Sequence, residues 1–184
     1  MKPKAIIVDI DGTLANCEHR RHFVDLQDRA GYDALWDQGT DGHWYHKFTD
    51  AKWKPDWKSF NEQMINDTPN EWLCDLLRAL YSGYWNCPST NNYCEEFIFV
   101  TGREECYRKI TTNQINEWTT INMHKLFMRP SKDYRPDTDI KREIYERHIK
   151  DKYDVLLCID DRQSVVDLWR SLGLVCLQCA KGDF

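Results

Sequence analysis

Apolar runs rich in β-branched residues recur along the chain, and each of them ends in polar residues. The runs cover residues 4–9, 97–101 and 155–161. A continuous apolar run of this length is typical of a strand that is buried on both faces of a parallel sheet. The sequence therefore predicts three parallel strands with polar side chains at their C-terminal ends. Open α/β sheets bind their ligands at that edge.

Helical periodicity fills the intervals between these strands. The stretch Thr68-Pro69-Asn70-Glu71 has the residues of a capping box with proline at the first helical position, which predicts a helix from there to about Tyr81. Further elements are predicted from periodicity: helices over about 104–119, 138–149 and 162–172, and a strand over 174–177. The predicted fold class is α/β with a mostly parallel sheet.

Residues 15–66 do not continue this alternation of strands and helices. We interpret them as a cap inserted after the first strand, and residues 1–14 and 67–184 as the catalytic core. Four tryptophans of the cap are expected to form its own core in preference to stacking on bases: Trp36, Trp44, Trp53 and Trp57. Six basic residues of the cap either follow a phosphate backbone or lie on a solvated face: Arg20, Arg21, Lys47, Lys52, Lys54 and Lys58.

Length and charge limit the possible functions. The chain has 184 residues, enough for one sizeable core, and a formal net charge of -5. This charge gives no general attraction for nucleic acid, so a polynucleotide has to be bound by a local patch. The apolar runs are too short to span a membrane, and the first strand leaves no room for a secretory signal. We therefore expect a cytoplasmic protein without membrane contact, and no protein partner can be inferred.

The eight cysteines are scattered along the sequence. Reduced thiols packed in the core are the favoured interpretation. The CxxC pair, Cys176 and Cys179, lies in a strand-like stretch where the two side chains would point to opposite faces. A zinc site remains the alternative, and its four candidate ligands are Cys87, Cys94, His43 and His46.

The first strand ends in Asp9-Ile10-Asp11-Gly12-Thr13, which places two carboxylates two residues apart beside a glycine that permits a sharp turn. Asp9 is the candidate nucleophile, because a carboxylate can split phosphate transfer into two steps through an aspartyl-phosphate. Asp11 is the candidate general acid and base. Carboxylates this close require a cation, and Mg²⁺ suits such a site.

Several further residues complete the candidate site. Thr101 and Lys141 are expected to stabilise the transferring phosphoryl group. Thr13, the Gly102 amide and Arg103, placed at the start of a helix, are candidate phosphate-binding groups.

The pair Asp160-Asp161 supplies further metal ligands, although Asp161 can instead be the N-cap of the next helix. Alternatives stay open for the two cations as well. Lys141 taken alone is most often a solvated helix residue, and only its place between the second strand motif and the carboxylate pair favours the catalytic role. Arg103 can instead pair with Glu104 or a nearby surface acid.

Four segments in order, DIDGT, VTGRE, the helical Lys141 and IDD, resemble the motifs of the haloacid dehalogenase superfamily. The resemblance implies a three-layer α/β/α Rossmann-like core and an aspartyl-phosphate intermediate. It also implies Mg²⁺ held by Asp9, the Asp11 carbonyl and a carboxylate of Asp160 or Asp161.

The C-terminal part is similar to one subgroup, the 3′-phosphatase domain of phage polynucleotide kinases. The matching residues are Thr101-Gly-Arg-Glu104, Met128-Arg-Pro130, Lys141-Arg-Glu-Ile144, Ile159-Asp-Asp-Arg162, Val165, Val166, Trp169, Arg170, Gly173, Val175, Gln178 and Gly182-Asp-Phe184. The resemblance implies a phosphomonoesterase that removes a 3′-phosphate from DNA or RNA ends. Two features depart from the subgroup: the GKS/T kinase loop is absent, and the segment between the first two motifs is long.

The long cap keeps two other functions open, because caps set specificity while the core sets the chemistry. One is a phosphatase for nucleoside monophosphates or another small phosphate ester. The other is a nucleic-acid-binding module without turnover.

Overall fold

A computed structural model describes residues 2–86, 94–122 and 124–182. The chain forms two compact units. We call them the core unit, Met1–Asn16 with Thr68–Asp183, and the inserted unit, which spans Cys17–Asp67. The inserted unit starts at Cys17 and not at residue 15, because Ala15–Asn16 pairs with Thr68–Pro69 in a short antiparallel ladder of the core unit.

The described part of the chain contains nine strands and seven α-helices. In chain order they are β1 (Lys4–Val8), β2 (Ala15–Asn16), α1 (Glu18–Arg21), α2 (Tyr32–Leu35), β3 (Trp36–Gln38), β4 (Trp44–His46), α3 (Trp57–Glu62), β5 (Thr68–Pro69), α4 (Glu71–Asn86), β6 (Glu96–Glu104), α5 (Arg108–Thr119), β7 (His124–Arg129), α6 (Asp137–Ile144), β8 (Asp154–Arg162), α7 (Gln163–Ser171) and β9 (Cys176–Gly182). Short 3₁₀ helices cover Gln63–Asn66 and Glu105–Tyr107, and a π-helical turn, Tyr145–Ile149, follows α6.

The core unit is built on a five-stranded parallel sheet with the order β7-β6-β1-β8-β9. Alternate residues of β1 enter two separate cores. Ile6 and Val8 pack with buried side chains of α4 and α5, whereas Ala5 and Ile7 pack with those of α6 and α7. Side chains that alternate in this way require helices on both faces. The predicted three-layer α/β/α fold is therefore confirmed.

Two predictions about local structure are wrong. The stretch 68–71 is not a capping box, because Thr68 and Pro69 form β5 and the helix begins only at Glu71. That helix also continues past Tyr81 to Asn86. The sequence analysis missed strand β7, since this edge strand, His-Lys-Leu-Phe-Met-Arg, is partly exposed and has no continuous apolar run.

The inserted unit has a small buried core of Cys17, Val24 and Phe60. The prediction that its tryptophans form this core is wrong. Trp36, Trp44 and Trp53 are only partly buried, and Trp57 is 49% exposed. Three of them pack edge-on against single aromatic rings: Trp36 on His46 at 5.2 Å, Trp44 on Tyr32 at 5.4 Å and Trp57 on Phe60 at 5.7 Å.

A buried ion pair lies within the inserted unit. Arg20 is fully buried, and its Nε and Nη2 each lie 2.6 Å from a carboxylate oxygen of Asp67. The same guanidinium lies over the ring of Phe60 at 4.0 Å. Arg20 therefore cannot follow a phosphate backbone, as one interpretation of the sequence had it.

Five of the described cysteines are buried free thiols: Cys17, Cys74, Cys94, Cys158 and Cys176. Cys176 and Cys179 of the CxxC pair pack into different cores of the core unit. The alternative zinc site depends on Cys87, which lies outside the described residues. In the described part of the chain, no helix is long and apolar enough to cross a membrane.

Candidate active site

Three buried carboxylates meet at the C-terminal edge of the sheet. Asp9 directly follows β1, and Asp160 and Asp161 lie near the end of the neighbouring strand β8. A carboxylate oxygen from each lies within 4.8 Å of the others, and all three residues are at most 5% exposed. Among the described residues, this is the one group of three or more acidic, histidine or cysteine side chains with such spacing.

Lys141 reaches this cluster from α6, one turn after the helix begins. Its Nζ lies 2.6 Å from Oδ1 of Asp9 and 3.0 Å from Oδ2 of Asp160. Oδ2 of Asp137, one turn earlier on the same helix, lies 3.3 Å from the same nitrogen. Lys141 is 2% exposed and is therefore not a solvated helix residue.

The charges of the cluster act on each other's proton affinity. Burial raises the pKa of Asp9, Lys141 lowers it, and the carboxylates of Asp160 and Asp161 raise it again, with a raised pKa as the result. Burial and the charge of Asp160 raise the pKa of Asp161 to about 6. Burial alone would lower the pKa of Lys141, but the surrounding carboxylates hold it well above its usual value. The single positive charge of Lys141 thus does not balance the negative charges of the surrounding carboxylates.

Gly12 allows the loop after β1 to approach the cluster. Its φ is +83°, and a Cβ at this position would overlap with Oδ2 of Asp161. Only glycine combines this backbone with this close approach. The next residue, Thr13, is buried, and its hydroxyl donates to Oδ1 of Asp161 at 3.3 Å. The loop therefore packs directly against Asp161, one of the candidate metal ligands.

The carboxylate of Asp11 binds Arg103, a residue outside the three-carboxylate cluster. Nη2 of Arg103 lies 2.6 Å from Oδ1 of Asp11, and Nη1 donates to Gln114 at 2.6 Å. Arg103 lies in β6 and not at the start of a helix, because β6 continues to Glu104 and α5 begins at Arg108. Arg103 is 1% exposed, so it is also not the partner of a surface acid.

The end of β6 brings the remaining predicted residues to the same edge. Thr101 is buried, and its hydroxyl accepts a hydrogen bond from the amide of Arg103 at 3.2 Å. A Cβ on Gly102 would lie 2.6 Å from Oδ1 of Asp137. The carbonyl of Gly102 accepts from Nε of Arg129 at 2.9 Å.

Asp160 has a further donor that the sequence analysis did not assign. Nε1 of Trp169, on α7, donates to Oδ2 of Asp160 at 3.2 Å, and the amide of Arg162 donates to Oδ1 at 3.2 Å. Helix α7 begins at Gln163 and its N-cap position is Arg162. The alternative interpretation of Asp161 as the N-cap is therefore wrong.

The sequence analysis missed Asp137, Gln114 and the polar role of Trp169. Asp137 carried a signal, since it lies four residues before Lys141, at the edge of the predicted helix, and such pairs face each other on a helix. Trp169 was assigned to the apolar stripe of its helix, where its ring does pack. Gln114 gave no signal, because its contact depends on how α5 packs.

The donor set fits a hard divalent cation. Three buried carboxylates face a single ammonium, and burial together with the neighbouring carboxylates raises the pKa values of Asp9 and Asp161. Carboxylate oxygens are the ligands that Mg²⁺ prefers, and they leave positions for phosphate oxygens. The cluster can therefore hold a cation beside the carboxylate of Asp9.

Solved structures resemble this chain over its whole length. The match to the chain in the structure of the Pnkp1/Rnl/Hen1 RNA repair complex has 28% identity and a TM-score of 0.64, and covers 100% of this chain and 44% of that one. A second structure of a Pnkp1/Rnl/Hen1 complex matches with 29% identity and a TM-score of 0.64, and this chain spans 48% of its chain. A hydrolase from Streptococcus pneumoniae TIGR4 has 16% identity over 96% of this chain and 92% of that one, with a TM-score of 0.50, and shares the fold.

A viral relative matches a shorter stretch. It is named a bifunctional polynucleotide kinase/RNA ligase, from Autographa californica nuclear polyhedrosis virus, and it is 37% identical over 77 residues, 42% of this chain and 11% of the viral protein. The chain thus spans less than half of this relative and of the two repair-complex chains.

The family described as "Polynucleotide kinase PNKP phosphatase domain" matches residues 56–184. This range includes Thr101, Lys141 and Asp160, whereas Asp9 and Asp11 precede it and are covered by the structural matches. The predicted superfamily and the predicted enzyme class, a phosphatase, are confirmed. The chain belongs to the polynucleotide kinase PNKP phosphatase domain family.

Proposed function

We propose that this chain is a Mg²⁺-dependent phosphomonoesterase that removes a terminal 3′-phosphate from DNA or RNA through an aspartyl-phosphate on Asp9. The observation that carries the proposal is the bridge from Lys141 to both Asp9 and Asp160 inside a buried carboxylate cluster. This arrangement supports the assignment of Asp9 as nucleophile, Lys141 as counter-charge and Asp160 as a cation ligand.

In the first step, a carboxylate oxygen of Asp9 forms a bond to phosphorus while the bond from phosphorus to the leaving oxygen breaks. Lys141 holds Oδ1 of Asp9 and fixes the orientation of the carboxylate. It also balances the negative charge that gathers on the transferring group. Thr101 and the amide of Gly102, at the end of β6, bind phosphoryl oxygens in our proposal.

Asp11 manages the proton in both steps. It gives a proton to the leaving oxygen, then accepts one from the water that attacks the aspartyl-phosphate and releases phosphate. Arg103 holds the Asp11 carboxylate with Nε and Nη2. We therefore assign Arg103 as a positioning residue for Asp11, in place of the phosphate contact expected from the sequence.

Asp9, Asp160, Asp161 and the Asp11 carbonyl would hold Mg²⁺ in this proposal. When bound, the ion neutralises the carboxylates and the phosphate oxygens so that anionic nucleophile and anionic substrate can approach. Buried Asp160 and Asp161 need such a cation, because Lys141 alone balances too little of their charge.

The substrate is proposed from the family and from the names of the relatives. The family is a phosphatase domain of polynucleotide kinases, and one relative is named for both a kinase and an RNA ligase. Enzymes of end repair prepare a 3′ end for joining, and a 3′-phosphate blocks that step.

The test measures Mg²⁺-dependent phosphate release from four substrates: a 3′-phosphorylated oligonucleotide, its 5′-phosphorylated isomer, and nucleoside 3′- and 5′-monophosphates. Asp9→Asn is the blank, and Asp139→Asn, an exposed aspartate of α6, is the matched control. We expect the 3′-phosphorylated oligonucleotide to have the highest kcat/KM. Asp9→Asn should have no turnover, and EDTA should abolish the wild-type rate until Mg²⁺ is added.

Other outcomes favour the other functions. A preference for a nucleoside monophosphate would make the chain a nucleotidase with the same catalytic residues. Turnover by Asp9→Asn would overturn the covalent mechanism. Oligonucleotide binding without phosphate release from any substrate would favour a binding module.

A further inference from the structure

A pocket of about 250 Å³ lies in the core unit beside the C-terminal end of β7. The end of β7, α6, the π-helical turn and the 3₁₀ turn after β6 line it. Its apolar side chains are Phe127, Met128, Pro130, Ile140 and Ile144. Its ionisable side chains are Glu105, Arg108, Arg135, Glu143, Arg147 and His148. An apolar floor with charged groups at its rim is typical of a ligand site.

Two residues that line this pocket are neighbours of candidate active-site residues. Met128 in β7 is the register partner of Thr101 in β6. Ile140 directly precedes Lys141 on α6. The pocket therefore shares β7 and α6 with the surroundings of the candidate site, within one compact unit.

The surrounding segment is positively charged in a protein of net charge -5. Residues 124–150 contain eight Lys or Arg and five Asp or Glu. The side chains of Arg135 and Arg147 are 48% and 69% exposed. Arg147 pairs with Glu143 at 2.5 Å, and Arg135 pairs with Glu143 at 2.8 Å and with Asp133 at 2.6 Å. Exposed ion pairs of this kind add little stability, so a phosphate can displace the carboxylate.

We propose that the pocket binds a nucleotide on the 5′ side of the terminal phosphate-bearing nucleotide. The base or sugar lies against the stacked rings of Phe127 and His148, and the backbone phosphate lies on Arg135 and Arg147. The proposal rests on the proposed function, since it requires a strand whose 3′ end is in the active site. A volume of about 250 Å³ is below the roughly 300–1,000 Å³ of drug-sized sites and suits one nucleoside, not a duplex.

The experiment compares Arg147→Gln and Arg135→Gln with Arg142→Gln. Arg142 is an exposed arginine of α6 that does not line the pocket, so the control makes the same charge change in the segment between the two pocket arginines. Two measurements are made with a single-stranded 3′-phosphorylated oligonucleotide. The first is kcat/KM for it relative to kcat/KM for p-nitrophenyl phosphate. The second is binding by the Asp9→Asn protein with the same substitutions, at several salt concentrations.

We expect each pocket substitution to lower the ratio of the two kcat/KM values about five- to tenfold, through KM for the oligonucleotide. The slope of log K against log salt should become less negative by about 0.7 for each phosphate that the protein no longer neutralises. Abasic nucleotides are then placed at one position of the oligonucleotide at a time. Binding should weaken most when the nucleotide on the 5′ side of the terminal one is abasic, and this weakening should be smaller in Arg147→Gln. Arg142→Gln should keep the wild-type ratio and slope.

Two results would overturn the inference in distinguishable ways. If the wild type hydrolyses the oligonucleotide but Arg135→Gln and Arg147→Gln behave like Arg142→Gln, the pocket is not a subsite and the proposed function stands. If p-nitrophenyl phosphate is hydrolysed while no oligonucleotide is bound or hydrolysed, both the pocket assignment and the nucleic-acid substrate fail.

Discussion

Arg103 holds Asp11 with two of its nitrogens: Nη2 lies 2.6 Å from Oδ1, and Nε lies 3.0 and 3.1 Å from the two carboxylate oxygens. The guanidinium is itself fixed by Gln114 of α5. The residue proposed to move protons is thus anchored to the neighbouring strand and, through it, to a helix. A paired arrangement of this kind fixes direction as well as distance.

Replacing Arg103 by Met should slow hydrolysis about 10²-fold, because Asp11 loses its orientation for proton transfer. The loss should grow as the pKa of the leaving alcohol rises. The measurement is kcat/KM for esters of graded leaving groups. Asp11→Asn with Arg103→Met should be no slower than Asp11→Asn alone, and additive losses would show that Arg103 does not act through Asp11. Arg103→Lys, which keeps the buried charge, controls for folding.

Replacing Trp169 by Phe should weaken Mg²⁺ binding about tenfold, because Asp160 loses the indole donor at 3.2 Å. The ring of Phe can still pack against Tyr145, which limits the effect on folding. The measurement is the rise of Tm with added Mg²⁺, together with the Mg²⁺ dependence of kcat. Trp72→Phe, an exposed tryptophan of α4, is the control. Equal Mg²⁺ affinity in the two variants would contradict the positioning of Asp160 by Trp169.

In EDTA, stability should fall as the pH rises from about 4 to about 6. Asp161 keeps a proton in the folded state up to a pKa of about 6, whereas its ordinary value is 3.8. The folded protein therefore binds more protons than the unfolded chain within this window, and the free energy of unfolding decreases by about 2 kcal/mol between about pH 4 and about pH 6. Thermal unfolding at pH 4, 5 and 6 measures this decrease. Asp161→Asn should reduce it, and an identical pH dependence in that variant would assign the effect to other groups.

Replacing Arg20 by Met should destabilise the inserted unit by about 3–5 kcal/mol, because it leaves the buried carboxylate of Asp67 without its guanidinium. Hydrogen exchange of residues 17–67 measures the change. Arg21→Met, which removes partly exposed ion pairs, is the matched control and should cost much less. If the rate of hydrogen exchange in residues 17–67 rises equally in the two variants, the Arg20–Asp67 pair does not stabilise the inserted unit.

Much of the core unit could be predicted from sequence because its central strands are buried on both faces. Such strands appear as uninterrupted apolar runs, and the polar residues that follow them mark the C-terminal edge. Asp9 and Asp160 were predicted in this way, because each of them follows or ends an apolar run in the sequence. Edge strand β7 lacks this signature, because one side of it faces solvent.

The contacts that orient the site were harder to predict, because they join residues distant in sequence. Arg103 and Asp11 are 92 positions apart. Trp169 donates to Asp160 from the apolar face of α7, whose side chains also pack in the core. The inserted unit was also misjudged. Its tryptophans suggested an aromatic core, but the buried residues include Val24, Phe60 and Arg20, which pairs with Asp67.

The short ladder of β2 and β5 pins Asn16 beside Thr68, at the two ends of the inserted unit. The chain leaves and re-enters the core unit at neighbouring points, about 5 Å apart in an antiparallel pair. Since these ends are already joined, the length of the insertion adds only slowly to the entropy of closing the loop. The active-site edge can thus tolerate insertions of very different size and sequence here, and a tight turn grafted between Asn16 and Thr68 would leave the parallel sheet intact.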